Sequence, residues 1–308
     1  MVKIIFFLLF ICEIISPKEY TQRDIDGLKL KASFQVIDSI DELTFKTSEE
    51  FEKTLGIDPS KIKDTSDFPE EDKTNLLEED EPLPEFFDAR EKWPDCIKGI
   101  SNQLSCGSCF AFSAAAVLSD RFCIHSDGEY DITLSAQDLV SCDILDQGCD
   151  GGFPITTWTY LITQGIITEE CRPYTSGNGY VEKCDRKTCS NGITKYRRYK
   201  ARDFYLFLSI NAIKREIMNN GPIQTSFLAY EDLHFYKSGV YMKTEGAALS
   251  GGHACRIIGW GTENGIGYWL VANSWGPSWG INGYFKIAHR QCFIENVIAG
   301  MPLFEHPK

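Results

Sequence analysis

The chain has 308 residues, of which 43% are hydrophobic and 24% are charged, and its formal net charge is −13. This composition excludes a disordered or fibrous protein, and the length suits one large domain or two small ones. Residues 1–82 hold 20 acidic and 10 basic side chains, so most of the acidity lies in the N-terminal quarter. This balance argues against a nucleic-acid partner, which would require a basic face.

The N-terminal sequence, MVKIIFFLLFICEII, places a lysine before a short apolar run. The run is too short to span a bilayer and is typical of a secretory signal peptide. We therefore expect residues 1–16 to be a signal peptide that sends the chain into the secretory pathway, to a lysosome or vacuole or out of the cell. No later stretch reads as a transmembrane helix, so membrane insertion is not expected.

The next region, residues 17–82, contains no cysteine and closes on a run rich in Pro, Asp and Glu. These features indicate a detachable leader. From Phe86 onward the chain gains aromatic residues, glycines and all eleven cysteines that follow Cys12, so we place a mature domain at residues 83–308. Eleven cysteines in a secreted chain predict several disulfides and at least one free thiol.

Helical patterns come first in this domain. A buried helix is predicted to begin at Cys109, where CFAFSAAAVLSDRFCIH follows the possible N-cap Ser108. Further helices are predicted to start behind Ser135, over PITTWTYLITQG, and over INAIKREIMNNG behind the possible cap Ser209. Glycine-punctuated runs of β-branched and aromatic residues then predict strands in PIQTSFLAY, HACRIIGWG, GYWLVANSW and GYFKIAH. Helices followed by strands predict an α+β protein of two subdomains with a cleft between them.

Three residues form a candidate catalytic set. A cysteine attacks a carbonyl as thiolate, so it requires a nearby imidazole and benefits from the positive end of a helix, which the position of Cys109 offers. His253 lies between glycines and an apolar strand, and it is the best placed of the five histidines. Asn273, in VANSWG, could hold the imidazole in its productive tautomer, with the ring of Trp275 excluding water.

Four blocks carry a family resemblance: NQLSCGSCFAF, GCDGGFP, GGHACRIIGWG and NSWGPSWGINGYFKI. In this order they resemble the papain family of cysteine proteases. Five further stretches are similar to cathepsin B: LPEFFDAREKWPDC, DRFCIH, CRPY, YKSGVY and VIAG. The resemblance implies a papain-like fold, with a mainly helical left half, a β-barrel-like right half and the active-site cleft between them. It implies no metal and no cofactor.

The resemblance also implies residue roles. Cys109 would be the nucleophile, His253 its base, Asn273 the partner that orients the imidazole, and Gln103 an oxyanion-hole donor beside the Cys109 backbone N–H. Gly151 and Gly152 would let an extended substrate backbone lie close. The remaining substrate-binding residues implied are Phe153, Pro154, Ser226, Ala254 and Trp275. The floor of the S2 pocket stays open between Glu295, which would admit Arg or Lys, and Asn296, which would not favour them.

By the same resemblance, disulfides join Cys96 to Cys123, Cys106 to Cys149, Cys142 to Cys184, and Cys171 to Cys189. Three cysteines then remain unpaired: Cys109, Cys255 and Cys292. Cys109 is expected to be free because it would be the nucleophile. Cys255 lies on an apolar strand and is interpreted as a packing thiol, with a bond to Cys292 left open.

The sequence departs from the family in three places. Phe110 follows the nucleophile where Trp or Tyr is usual, and Leu104 stands where a glycine is usual. In cathepsin B a loop with paired histidines binds the substrate's C-terminal carboxylate, but residues 175–183, TSGNGYVEK, have neither histidine nor cysteine. We therefore predict an endopeptidase with an open primed side.

Two other functions remain possible from sequence: a secreted binding protein on the same fold, and a transpeptidase or ligase that uses the same thioester. Retention of Cys109, His253, Asn273 and Gln103 favours the protease. Its expected partners are polypeptide substrates, its own propeptide at residues 17–82 as an inhibitor, and cystatin-like protein inhibitors. The chain is expected to be a monomer.

Overall fold

A computed structural model describes residues 17–70, 82–192 and 195–304. The predicted signal peptide, residues 1–16, lies outside the described residues. Seven α-helices form within the described part of the chain: α1 (Gln22–Lys29), α2 (Ser48–Glu52), α3 (Ala89–Lys92), α4 (Cys109–Ile124), α5 (Ala136–Cys142), α6 (Pro154–Thr163) and α7 (Ile210–Asn220). None of the helices in these three ranges has the length and apolarity to cross a membrane.

The strands concentrate after residue 200. They are β1 (Gln35–Val36), β2 (Phe87–Asp88), β3 (Lys200–Ala201), β4 (Tyr205–Leu206), β5 (Ile223–Tyr230), β6 (Tyr236–Ser238), β7 (Val240–Tyr241), β8 (Leu249–Glu263), β9 (Ile266–Ala272), β10 (Tyr284–Ala288), β11 (Asn296–Ala299) and β12 (Pro302–Leu303). The main sheet has the order β4-β11-β5-β8-β9-β10-β7, and β2 pairs with β8 outside that path. The predicted α+β arrangement of a helical half and a sheet half is confirmed.

Helix α4 is the centre of the helical half. Its sequence is apolar on nearly every face, as expected for a helix that is surrounded by protein, and α5 and α6 pack against it. It begins at Cys109, as predicted, but the hydroxyl of Ser108 does not cap it and instead lies 3.0 Å from the Tyr174 hydroxyl. The predicted caps of α5 and α7 are confirmed, because the Ser135 and Ser209 hydroxyls accept backbone N–H bonds.

Two buried ion pairs join α4 to the sheet half. Asp120 lies 2.5 Å from Arg256 on β8, and Arg121 lies 2.8 Å from Glu216 on α7. All four charges are at most about a tenth exposed, so removing one partner would leave an uncompensated buried charge. These pairs therefore fix the position of the helical half relative to the sheet half. They thereby also fix the width of the cleft between the two halves.

Residues 17–70, which we call the leader segment, lie across both halves. Strand β1 pairs antiparallel with β6, and α1 and α2 pack on the same side of the sheet half. Beyond α2, Ile57 forms an antiparallel bridge to Gly252 on β8, and a short 3-10 helix follows at Pro59–Lys61. The leader segment therefore runs through the cleft between the two halves.

The four predicted disulfides are present: Cys96–Cys123, Cys106–Cys149, Cys142–Cys184 and Cys171–Cys189. All four lie between α3 and β3, in the part of the chain that contains α4, α5 and α6. Cys109, Cys255 and Cys292 are free and buried, so the bond between Cys255 and Cys292 that the sequence left open is not formed.

Candidate active site

The nucleophile candidate, Cys109, lies at the first turn of α4 and is fully buried beneath the leader segment. Burial raises the pKa of its thiol to about 11, while the backbone N–H groups of Gly56 and Ala254 oppose that rise. One of these groups belongs to the leader segment and the other follows His253 on β8. The thiol is therefore neutral in this state and lies beside the strand that carries the imidazole.

The imidazole of His253 is held on three sides. Its Nε2 lies 2.8 Å from Asn273 Oδ1. Its ring stacks on Trp275 at 4.6 Å and meets the edge of Phe227 at 5.8 Å. Burial lowers the pKa of His253 to about 4, and the bond to Asn273 opposes the change. The ring is neutral at pH 7, and its Nδ1 has no hydrogen-bond partner in the described part of the chain, so thiol and imidazole are not yet bonded.

Asn273 presents its carbonyl oxygen to several donors. Oδ1 accepts from His253 Nε2, from the backbone N–H of Ser274 at 2.8 Å and from the Cys255 thiol at 3.3 Å. The role of Cys255 was not predicted from sequence, although its position two residues after His253 on one strand places both side chains on the same face.

Gln103 is fully buried, and its side-chain amide is fixed at both ends. Oε1 accepts a 2.6 Å bond from the Ser274 hydroxyl. Nε2 donates to the Cys106 carbonyl at 2.8 Å and to the Thr54 carbonyl of the leader segment at 2.9 Å. A carbonyl oxygen therefore lies where an oxyanion-hole donor would bind a developing negative charge.

The leader segment contacts Gly151 and Gly152, which we call the glycine strip, through its backbone. Gly152 N–H donates to the Gly56 carbonyl at 2.9 Å, and Ile57 and Gly252 exchange two bonds of 3.0 and 3.1 Å. A Cβ on Gly151, whose φ is +117°, would lie 2.4 Å from the Gly56 carbonyl oxygen. Only a residue without a side chain permits this approach.

The predicted S2 residues come together around two leader side chains. Ser226 pairs with Ala254 on β8 and with Asn296 on β11, so the three share one row across the sheet. Phe153 and Pro154 start α6 on the opposite side of the cleft. Ile57 and Ile62 of the leader segment are 4% and 9% exposed, and they belong to the same apolar cluster as Ala254 and Phe153.

Of the two floor candidates, the structure brings only Asn296 into this row. Its amide exchanges bonds with the backbone of Lys63, at 3.0 Å to the N–H and 2.6 Å to the carbonyl. Glu295, one residue before β11, is 2% exposed and accepts from Trp269 Nε1 at 2.9 Å, from Arg290 N–H at 2.8 Å and from the Thr65 hydroxyl of the leader segment at 3.2 Å. Asn296 therefore lies with Ser226 and Ala254, and Glu295 does not.

A carboxyl pair that sequence reasoning missed lies under the glycine strip. Asp146 accepts from Phe153 N–H at 2.9 Å and from the Thr156 and Thr157 hydroxyls at 2.6 and 2.9 Å, so it holds the start of α6. Its neighbour Asp143 is 5% exposed. Burial, with the adjacent Asp146 charge, raises the pKa of Asp143 to about 7. The signal in the sequence was the spacing of two carboxylates just before GCDGGFP.

The loop at residues 175–183 is hydrogen-bonded to α5 and to the segment before α4. Gln137 Oε1 accepts from the N–H groups of Thr175 and Ser176 at 2.8 and 3.0 Å, and Ser105 N–H donates to the Gly177 carbonyl at 2.9 Å. Leu104 packs over Gly177, with φ of +53° and 53% exposure. A left-handed conformation is costly for a residue with a Cβ, so the leucine at this position carries local strain.

A model of the papain family, described as "Papain family cysteine protease", matches residues 83–301. Cathepsin B-like cysteine proteinase 4 of Caenorhabditis elegans is 41% identical over 254 residues, which cover 72% of this chain and 76% of that protein. Cathepsin B-like cysteine proteinase 5 of the same organism is 39% identical over 260 residues, covering 71% and 75%.

Among solved structures, proCathepsin B S9 from Trypanosoma congolense superposes with a TM-score of 0.78 at 33% identity. The match covers 93% of this chain and 99% of that one, so it includes the leader segment as well as the two halves.

Proposed function

Because this chain belongs to the papain family of cysteine proteases and is a cathepsin B-like peptidase, we propose that it hydrolyses internal peptide bonds through a thioester acyl-enzyme. We further propose that it is made as a proenzyme, with residues 17–82 as propeptide and residues 83–308 as the mature enzyme. One observation carries this proposal. The leader backbone lies where a peptide substrate would lie, with the Thr54 carbonyl on Gln103 and the Gly56 N–H facing Cys109.

The chemistry begins when the leader segment leaves and water reaches the cleft. Burial keeps the Cys109 thiol and the His253 imidazole neutral, and solvation ends that burial. A proton can then pass from the sulfur of Cys109 to Nδ1 of His253. The thiolate attacks the carbonyl carbon of the substrate, and the oxygen takes up the negative charge. Gln103 Nε2 and the Cys109 N–H then donate to that oxygen, which lowers the barrier.

The tetrahedral intermediate collapses as His253 gives its proton to the departing amine, and a thioester on Cys109 remains. Water then attacks the thioester, His253 takes a proton from that water, and the carboxylic acid product leaves with the thiol regenerated. Asn273 accepts from Nε2 throughout, so Nδ1 faces the reacting groups.

The short loop at residues 175–183 supports endopeptidase activity. It contains no histidine to bind a terminal carboxylate, and its bonds to Gln137 and Ser105 hold it to the enzyme surface. Internally quenched peptides with free and amidated C-termini should be cleaved at similar rates. A strong preference for the free carboxylate would show that the enzyme trims dipeptides instead.

The row of Asn296, Ser226 and Ala254 supports an S2 pocket with an amide at its floor. Such a pocket accepts apolar residues, as it does Ile57 and Ile62 here, and offers no charge to an arginine. The four disulfides are typical of an oxidising compartment, so we place the enzyme in the secretory pathway, in a lysosome or vacuole or outside the cell. The proposed enzyme is a monomer. Cystatin-like proteins would inhibit it by entering the cleft after the leader segment has left.

The decisive experiment is alkylation of the acid-matured protein with an epoxide that reacts with active-site thiols. Labelling should map to Cys109 alone and be absent from Cys109→Ala. Peptide hydrolysis should disappear with it. A matured protein that labels elsewhere, or that binds peptides without cleaving them, would instead be a binding protein on this fold.

A further inference from the structure

Cys255 occupies a special position beside the catalytic residues. It lies on β8 two residues after His253, is 2% exposed, and its thiol donates to Asn273 Oδ1 at 3.3 Å. Burial raises its pKa well above the ordinary value, with the neighbouring Cys109 contributing. The group therefore keeps its proton, and remains a donor, over the whole range in which a peptidase works.

The other end of the Asn273 amide is not held by protein. Nδ2 is buried and has no hydrogen-bond partner in the part of the chain that the structure describes. The adjoining cavity, lined by Cys255, Asn273 and Ser274 among others, has a volume of about 20 Å³, room for one water at most. The orientation of the amide is thus set by the donors that converge on its oxygen.

We propose that Cys255 is a positioning residue, whose S–H bond keeps Asn273 Oδ1 turned toward His253 Nε2. This inference rests on the proposed function. The Ser274 N–H and the Cys255 thiol aim the oxygen before the imidazole binds to it. Without the thiol, the amide can rotate and present Nδ2 to the imidazole, which offers no acceptor for the Nε2 proton.

The test compares Cys255→Val, which keeps the volume and loses the donor, with Cys255→Ser, which keeps a donor. Because one weak hydrogen bond is at stake, kcat of the valine variant should fall about 3- to 10-fold with little change in KM. The alkaline limb of its kcat/KM profile should move to lower pH, since imidazolium loses part of its acceptor. The serine variant should restore both.

A valine variant with the rate and the alkaline limb of the unmodified enzyme would overturn the role. So would a serine variant as impaired as valine, because packing alone would then explain the loss. Cys292→Ser is the matched control, since Cys292 is also a free, buried cysteine, but its thiol bonds to Tyr241 and not to the Asn273 amide. If the unmodified enzyme fails to label at Cys109, the proposed function itself is wrong. That result is distinct from a failure of the role proposed for Cys255.

A second inference comes from His234, which lies between the enzyme and the leader segment. It is 1% exposed, and neither ring nitrogen makes a hydrogen bond with the described residues. Its ring packs against Tyr20 at 4.0 Å and Phe51 at 5.1 Å, both in the leader segment, and against its neighbour Phe235 at 3.7 Å. Protonation would therefore place a charge among buried aromatic rings, away from water.

We propose that His234 makes the hold of the leader segment sensitive to acid. The charges nearest its ring are Lys18 and Asp24 of the leader segment, which are opposite in sign, and the Glu231 carbonyl on its own loop favours a protonated ring. Glu231 and Glu52 face Tyr20, whose phenol stays neutral because burial raises its pKa.

The direction follows from burial. With the leader segment bound, burial lowers the pKa of His234 to about 3 from its ordinary 6.5. The His234 ring regains contact with water when Tyr20 and Phe51 leave. Below pH 6.5 the ring therefore binds a proton in the form without the leader segment but not in the closed form. The equilibrium constant for binding of the leader segment is therefore at its maximum above pH 6.5. Below that pH it falls by up to tenfold per pH unit, or about 100-fold at pH 4.5.

Hydrogen exchange in the full-length Cys109→Ala chain, which cannot process itself, tests this inference. Protection of the backbone at residues 54–57 should fall steeply below pH 6 in the parent chain and persist below pH 5 in the same chain carrying His234→Phe. Equal pH midpoints would overturn it and assign acid release to the leader carboxylates. Equal protection of both chains at pH 7.5 would confirm that the phenylalanine variant closes normally.

Discussion

Gly56 offers a direct test of the proenzyme proposal, because the leader backbone passes so close to the enzyme there. A Cβ on Gly56 would lie 1.8 Å from the Gly107 carbonyl oxygen. The enzyme backbone cannot retreat, since Gly107 N–H bonds to the Cys149 carbonyl at 2.9 Å beside the Cys106–Cys149 disulfide. In Gly56→Ala the leader segment must therefore lift by more than about 1 Å to reach an ordinary contact distance.

That displacement breaks the bond from Gly152 to Gly56 and the two bonds between Ile57 and Gly252. At about 1 kcal/mol for each bond, the closed state loses about 3 kcal/mol, so the open fraction should rise about 100-fold.

The assay is the rate at which the epoxide alkylates Cys109 in the intact, unprocessed chain at neutral pH. Gly56→Ala should label about 100-fold faster than the unmodified chain, and mass spectrometry should show that both retain the leader segment. Gly27→Ala is the matched control, because a Cβ on Gly27 meets nothing within 4 Å. A Gly56→Ala chain that labels within threefold of the unmodified one would refute the closed cleft.

Three further predictions concern the mature enzyme. Asn296→Glu should raise kcat/KM for substrates with arginine at P2 by about tenfold and spare those with phenylalanine, whereas Glu295→Gln should leave the P2 preference unchanged. Gln103→Ala should lower kcat about 100-fold with little effect on KM, because it removes an oxyanion donor. Asp143 has a folded-state pKa of about 7, so its contribution to stability is complete below about pH 4 and is lost as pH rises through 7. Thermal melts should show Tm falling between pH 5 and 8, less so in Asp143→Asn.

Local sequence signals predicted the residue at which α4 starts, although Ser108 does not cap it, and the caps of α5 and α7. Helix termini are determined by a few neighbouring side chains, so they can be read from a single sequence. The four disulfides followed from the family resemblance rather than from any local signal, because cysteine spacing alone leaves many pairings open.

Other features depended on long-range geometry. The choice between Glu295 and Asn296 depends on register, since a shift of one residue at the start of β11 would change which of the two pairs with Ser226. Only the pairing of Asn296 with Ser226 decides it. The group of aromatic rings around His234 likewise requires residues more than 180 positions apart, and no single-sequence pattern links Tyr20 to that histidine.

Trp275 lies between His253 and the leader segment. Its indole covers the His253 ring, and Phe45 and Phe51 of the leader segment meet it edge-on at 5.4 and 5.5 Å. Trp275 therefore contacts both the proposed catalytic base and the leader segment that we propose as inhibitor. Substitutions at this contact in the leader segment and in the enzyme must consequently be matched. A leader segment taken from a distant relative should therefore inhibit this enzyme more weakly.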